Sequence, residues 1–447
     1  MDIRITPSRL SGTLDAVSSK AFVHRLLICS ALAEKETSIN FNGMSDDIAA
    51  TIRCLEAMGS SIKTERTALI VTPIMEKRES SVILQCGESG STARFVLPLA
   101  AHFFDSFTLT GEGRLPRRPF APLCDALTNV GCKFDSDQLP MTVTGRIKSG
   151  NFQIAGNISS QFISGLLFVL PLLGEGSTIT VTTPLESEGY VEMTIEVLSL
   201  FGIAVEKKDP PPPPPQDSSE NLDGSPPDPV MESHVFRING NRRYDSPGFA
   251  TAESDWSNAA FFLCMGALGH LHRGGDISLR GLSMISEQGD KKIIEILNSF
   301  GAKAEGGTLT TARPGVLRGI NIDAAHIPDL VPTLSVIAAV SEGTTRIFNA
   351  QRLRLKESDR IHSTYHMLSS LGADVHTTDD GLVIRGKRKL QGGIVDGAGD
   401  HRIVMAAATA ACACEKPVVI KGFGAVNKSY PSFFGNLKTL GGVIDVV

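Results

Sequence analysis

The chain has no Cys-x-x-Cys pair, although eight cysteines are spread over its 447 residues. Cys29, Cys54, Cys86, Cys124, Cys132, Cys264, Cys412 and Cys414 form no dense framework of the secreted kind. They read as reduced, mostly buried small hydrophobes. Long apolar runs are also missing: "FISGLLFVLPLL" is too short to cross a bilayer. The opening "MDIRITPSRL" alternates and carries charge, so it reads as neither signal peptide nor membrane span, and a cytoplasmic location is expected. Neither sign of charge dominates, with 43 Lys and Arg against 48 Asp and Glu. A formal net charge of −5 argues against a nucleic-acid or membrane partner, while leaving room for local basic patches that bind small anions. Zinc spacings, an EF-hand loop, a helix-opening GxGxxG, a GxxxxGK[ST] loop and a GxSxG elbow are all absent. No metal or cofactor is therefore expected.

What the chain does have is a repeat. A helix-like run ending in an apolar residue, then Gly, then a strand-like segment, occurs six times: "LEAMGSSI", "LTNVGCKF", "LSLFGIAV", "LNSFGAKA", "LSSLGADV" and "LKTLGGVI". The glycines Gly59, Gly131, Gly202, Gly301, Gly372 and Gly441 lie 69 to 72 residues apart, except for one interval of 99. The long interval contains "DPPPPPPQDSSENLDGSPPDPVMES", a tract with nothing to build a core, read as a surface insertion over about 208–233. Strand-like phrases such as "SFTLTG", "STITVTT" and "PVVIKG" accompany each unit, giving about βαβαββ per repeat. A Gly after each helix suits a left-handed C-terminus. Units this small cannot bury both faces alone, so they should assemble as two sets of three.

Polar clusters interrupt the repeats at predicted helix starts. Lys20, His24 and Arg25 lie in "VSSKAFVHRLLICSALA"; Gly90, Ser91, Thr92 and Arg94 in "CGESGSTARFVLPLA"; Arg114, Arg117 and Arg118 in "TGEGRLPRRPF". Ser159, Ser160 and Gln161 open "SSQFISGLLF", Asp329 heads one apolar helix, and Asp400, His401 and Arg402 head another. Each is an ordinary capped helix taken alone. Recurring in both halves, they would form an anion-selective pocket with acid/base carboxylates if the helix ends converge. The stretch "LRLKESDRIHS" adds Arg354, Lys356 and Arg360 beside Glu357 and Asp359.

The ordered set "SKAFVHR", "GESGSTAR", "GEGRLPRRP", "SSQF", "IPD", "LKESDR", "DHR" and "NKSYP" resembles the EPSP synthase (3-phosphoshikimate 1-carboxyvinyltransferase) family of enolpyruvyl transferases, over nearly the whole chain. The resemblance implies an α/β fold, a two-lobed inside-out α/β barrel with three βαβαββ repeats per lobe. Lobe I would comprise 1–18 and 246–447, and lobe II 19–245. It implies transfer of the enolpyruvyl group of phosphoenolpyruvate to the 5-hydroxyl of shikimate 3-phosphate, by a monomer without cofactor. Lys20, Asp329 and Glu357 become the expected catalytic residues: Asp329 takes the hydroxyl proton and Glu357 serves the methylene carbon. Shikimate 3-phosphate is expected at Lys20, Ala21, Arg25, Ser159, Ser160, Gln161, Ser187, Asp329 and Lys356, with Tyr190 nearby. Phosphoenolpyruvate is expected at Lys20, Gly90, Gln161, Arg114, Arg360, Arg402 and Lys428.

Three departures from the family pattern stand out. Ala21 replaces a usual Ser, removing one hydroxyl contact. Glu88-Ser89-Gly90 replaces Asn-Ala-Gly, with Glu88 expected to point away from the anion site. Ser187-Glu188-Gly189 replaces Ser-Lys-Pro, which should make that loop looser. Two rivals remain. One is the sister enzyme acting on UDP-N-acetylglucosamine, whose pattern has a loop cysteine as acid, whereas Cys124 and Cys132 lie in or beside a helix-like stretch. The other is an inactive anion-binding homologue.

Overall fold

The computed structural model describes residues 2–75, 81–209, 234–269 and 274–447. Six four-stranded sheets make up the outer layer, and all six share one pattern: a parallel pair followed by two antiparallel neighbours. The unit Val82–Gln85, Gly90–Phe103, Ser106–Thr110, Ala121–Thr128, Lys133–Phe134, Met141–Thr144 is βαβαββ, as the repeat predicts. All six repeat glycines have positive φ, from 75° at Gly202 to 115° at Gly131. That is the left-handed conformation in which a side chain is penalised and a helix can stop.

Each unit has one helix buried almost all round: Lys20–Leu32, Gly90–Phe103, Ser160–Val169, Trp256–Ala267, Val331–Ala339 and His401–Ala411. A helix apolar on every side belongs in an interior. The sheets therefore lie outside and these helices inside, the reverse of an ordinary barrel. Two hydrophobic cores result. One joins Ile3, Ile5 and Val17 to residues from Trp256 onward; the other runs from Phe22 to Ala252. No helix among the described residues is long and apolar enough to cross a membrane.

The lobes exchange strands. Gly12–Asp15 pairs in parallel with Ile277–Arg280, and Phe249–Thr251 pairs in parallel with Thr37–Asn40. The second exchange corrects the expected boundary at 246: Ala250 and Ala252 are packed in the core that starts at Phe22, so the chain crosses between Ala252 and Trp256. A βαβαββ unit needs a first strand parallel to its second, and the first unit takes that strand from beyond the third. The expected insertion falls almost wholly on 210–233, outside the described residues.

Candidate active site

The first turns of all six inner helices, or the turn leading into them, line one pocket between the lobes. Local sequence explains why each begins there. Ser19, Ser89, Ser159, Asp255 and Asp400 cap five of them, each side chain accepting a backbone N–H of the first turn. The sixth is entered through a 3-10 turn, Pro328–Leu330, with Pro at its first position. Aligned helix dipoles and unpaired N–H groups already favour an anion here.

Side chains sharpen that preference. Eight lining residues are Lys or Arg (Lys20, Arg25, Arg94, Arg118, Arg352, Lys356, Arg360, Arg402). Four are Asp or Glu (Asp47, Asp255, Asp329, Glu357), an excess of four positive charges within a chain of net charge −5.

Arg360 organises the carboxylates. Its Nη1 donates to Asp329 at 2.7 Å, its Nη2 to Glu357 at 2.7 Å, and its Nε to Asp400 at 2.8 Å. Burial alone would raise the Glu357 carboxyl, but Arg360, then Arg118 and, less strongly, Lys356, hold it well below the usual range. Asp329 is likewise opposed by burial and held low by Arg402, Lys356 and Arg360. Burial brings Lys356 down to about 8, with Asp329 opposing the fall. His401 is lowered to about 3 by burial and by Lys20, so it is neutral at pH 7. Arg402 gives Nη2 to Asp329 at 3.2 Å and keeps a buried Nη1 with no protein partner, a donor suited to a ligand oxygen.

On the facing lobe, Lys20 Nζ contacts Asp47 at 2.5 Å. Arg25 makes four hydrogen bonds, to Thr194, Ser164 and the Ala21 and Tyr190 carbonyls, leaving one of its five donors. It braces the pocket wall more than it reaches into it. Gln161 accepts from Arg94 at 2.7 Å and donates to Ser91 at 2.8 Å, while Ser159 and Ser160 line the pocket beside it. Gly90 lies directly against Arg118: a Cβ there would lie 2.6 Å from Arg118 Nη1 and displace that guanidinium.

Four expectations change. Arg114 is exposed and does not line the pocket, whereas Arg118 does and reaches Glu357 Oε1 at 3.3 Å. The 3-10 turn Leu115–Arg117 explains the swap. With three residues per turn, Leu115 and Arg118 share the buried face, and Arg114 and Arg117 the solvent face. Lys428 also falls outside the lining, because its ammonium is held by Glu88 Oε2 and by the Gly399 carbonyl at 2.8 Å. Glu88 therefore turns toward a predicted anion ligand, since the other lobe offers it a cation. The Ser187 loop is tied down, not loose: Arg352 donates to Ser187 Oγ and Glu188 pairs with Lys207. Arg352, absent from the expected set, lines the pocket and bonds the Ala325 carbonyl at 2.8 Å. A pattern of arginines at helix starts could not single it out from Arg354, which pairs with Asp359. Arg94 was visible in its motif, and its convergence with Arg118 depends on the fold.

An inside-out α/β architecture of two lobes defines a class of fold, and solved structures share that fold. EPSP synthase from Acinetobacter baumannii superposes with a TM-score of 0.77 at 23% identity, covering 100% of this chain and 99% of that one. The enolpyruvyl transferase NikO from Streptomyces tendae gives 0.76 at 17% identity, covering 99% and 98%. The chain belongs to the family described as EPSP synthase (3-phosphoshikimate 1-carboxyvinyltransferase), whose model matches residues 5–213 and 229–437. Relatives named 3-phosphoshikimate 1-carboxyvinyltransferase include those of Clostridium novyi, 39% identical over 99% of this chain and 98% of that protein, and Clostridium acetobutylicum, 40% identical over 98% and 97%.

Proposed function

We propose that this protein transfers the enolpyruvyl group of phosphoenolpyruvate to the 5-hydroxyl of shikimate 3-phosphate, releasing phosphate, in aromatic amino acid biosynthesis. Family membership supports the reaction, and one observation carries its assignment to this cleft: two carboxylates, Asp329 and Glu357, share the guanidinium of Arg360 inside a pocket of excess positive charge. Both substrates are multiply charged anions, and such a pocket attracts both while placing proton-transfer groups between them.

The methylene carbon of phosphoenolpyruvate takes a proton from Glu357. The acceptor oxygen then bonds to the neighbouring carbon and its proton passes to Asp329, giving a tetrahedral intermediate. The carbon–oxygen bond to phosphate breaks, and Glu357 removes a proton from the new methyl group. Glu357 must be protonated at the outset, yet its cationic neighbours keep it ionised without ligand. Ligand phosphate and carboxylate groups that engage Arg118 and Arg360 would weaken that hold and let Glu357 take up a proton. The same cations then stabilise charge on the departing phosphate.

Lys20, Ser159, Ser160, Gln161, Ser187 and Lys356 are assigned to shikimate 3-phosphate. Gly90, Arg118, Arg360 and Arg402 are assigned to phosphoenolpyruvate, with Lys20 and Gln161 shared, and Lys428 joins them where the ligand displaces Glu88. Ala21 offers no hydroxyl, and Arg25 acts mainly as a brace. The enzyme is assigned to the cytoplasm as a monomer without cofactor, on the sequence reading alone. A loop-cysteine acid has no support: Cys124 and Cys132 are buried outside the pocket, and burial pushes the Cys124 thiol up to about 12.

The test is phosphate release from phosphoenolpyruvate with shikimate 3-phosphate, beside UDP-N-acetylglucosamine and no-acceptor controls, with mass detection of the product. Release and product with shikimate 3-phosphate alone support the assignment. Folded protein that stays silent with it refutes the assignment.

A further inference from the structure

Lys207 lies outside the cleft on the strand Val205–Lys208, yet its ammonium is surrounded by carboxylates. It contacts Glu188 at 2.5 Å, Glu192 at 2.6 Å and Asp209 at 2.9 Å. His234 Nδ1, on the return side of the same hairpin, reaches Asp209 at 3.2 Å. Burial disfavours the charged ammonium, but its hydrogen bonds with Glu188, Glu192 and Asp209 outweigh burial and hold it above the ordinary lysine range. Three carboxylates converging on one lysine exceed what an isolated surface pair provides.

The position of Glu188 gives the cluster its importance. It directly follows Ser187, a pocket residue held at φ 54°, where a residue with a side chain is strained. Such a conformation persists only where its surroundings impose it. Three contacts flank it. Arg352 donates to Ser187 Oγ from the opposite lobe. Gly189 packs so closely on the Glu287 carbonyl that a Cβ there would collide. Lys207 holds Glu188 from behind. Glu192 lies one turn further along the helix Gly189–Leu200, so the same ammonium also fixes the helix that the loop leads into.

We propose that Lys207 is a positioning residue for acceptor binding, fixing Ser187 through Glu188 so that its hydroxyl meets the phosphate of the acceptor. The inference rests on the assignment of Ser187 to shikimate 3-phosphate. It predicts a one-sided effect, because Arg118 and Gly90, assigned to phosphoenolpyruvate, share no contact with the cluster.

The experiment compares Lys207→Met, Lys207→Arg, Glu188→Gln and Ser187→Ala in steady-state assays with each substrate varied in turn. For Lys207→Met and Glu188→Gln the expected result is a KM for shikimate 3-phosphate raised about fivefold or more. The KM for phosphoenolpyruvate and kcat should stay within about twofold, and Lys207→Arg should recover most of the loss. A rise in both KM values with a fall in kcat would overturn the positioning role, and Glu188→Gln supplies the comparison if Lys207→Met does not fold. Ser187→Ala separates the two levels of inference. If it raises the acceptor KM while Lys207→Met and Glu188→Gln do not, the role of Lys207 is overturned alone. If Ser187→Ala leaves that KM unchanged, the assignment of Ser187 falls and the role of Lys207 falls with it.

Discussion

Arg360 donates from Nη2 to Glu357 Oε2 at 2.7 Å, three residues away at the start of the helix Arg360–Ser370. Arg360 is almost fully enclosed and Glu357 partly so, and Asp329 and Asp400 compete for the same guanidinium. Glu357 is therefore a carboxylate whose proton affinity is set by how much of Arg360 and Arg118 it retains.

The first expected outcome concerns proton uptake. Glu357 is ionised in the free enzyme because its cations outweigh burial. Anionic ligands that draw on those cations raise its proton affinity, so formation of the ternary complex near pH 7 should absorb protons. Calorimetric titration in buffers of different ionisation enthalpy measures this. Glu357→Gln should abolish the uptake and lower kcat by about 10²-fold or more while leaving substrate binding largely intact. Uptake unchanged in the variant would assign the proton to another group.

The second concerns alkaline pH. Lys356 has its amine lowered to about 8 by burial, so it is cationic below that value and neutral above it. Attraction for a phosphate dianion is present below about pH 8 and lost as pH rises. The pH profile of kcat/KM for shikimate 3-phosphate, which reports free-enzyme groups, should therefore fall above pH 8. Lys356→Arg, charged throughout, should flatten that limb. The sign for stability is the opposite. The unfolded chain keeps the Lys356 proton up to about pH 10.4, so folding is penalised below pH 8 and the penalty fades through that window.

A third outcome separates two arginines four residues apart. Arg118→Ala should raise the KM for phosphoenolpyruvate about tenfold or more, since it removes a buried charge-assisted donor. Arg114→Ala should change either KM by less than about twofold, because Arg114 faces solvent. Steady-state kinetics on the two variants decide the matter, and equal effects would contradict the turn geometry.

The fourth concerns Glu88. Its carboxylate holds Lys428 across the cleft, so it competes with any ligand anion for that ammonium. Glu88→Gln should lower the KM for phosphoenolpyruvate several-fold at low salt, and the gain should shrink as salt is added because Glu88 is about one-third exposed. A raised KM would mean that Glu88 helps to close the lobes instead of competing with the ligand.

Much of the architecture was readable along the chain. Gly131 ends its helix with positive φ for a reason contained in a few residues: the helix must stop and only glycine adopts that geometry without strain. Ser159 and Asp400 cap their helices for equally local reasons. The motifs around Lys20, Asp329 and Glu357 were likewise recognisable in order. Other features left no local trace. The strand Phe249–Thr251 is a short run that reads as a connector until Thr37–Asn40 is placed beside it. Arg118 differs from Arg114 only by the phase of one 3-10 turn.

The amino-acid sequence by itself determined the six-fold repeat, the inner helices and the polar residues at their starts, because capping and periodicity act between neighbours a few positions apart. Tertiary structure alone decided which charges meet. Glu88 and Lys428 are 340 residues apart, Arg352 and Ser187 are 165 apart, and Arg118 and Glu357 are 239 apart. Coulomb attraction depends on distance in space and on exclusion of water, and both are set only when two lobes, exchanging strands, bring their helix ends to one cleft.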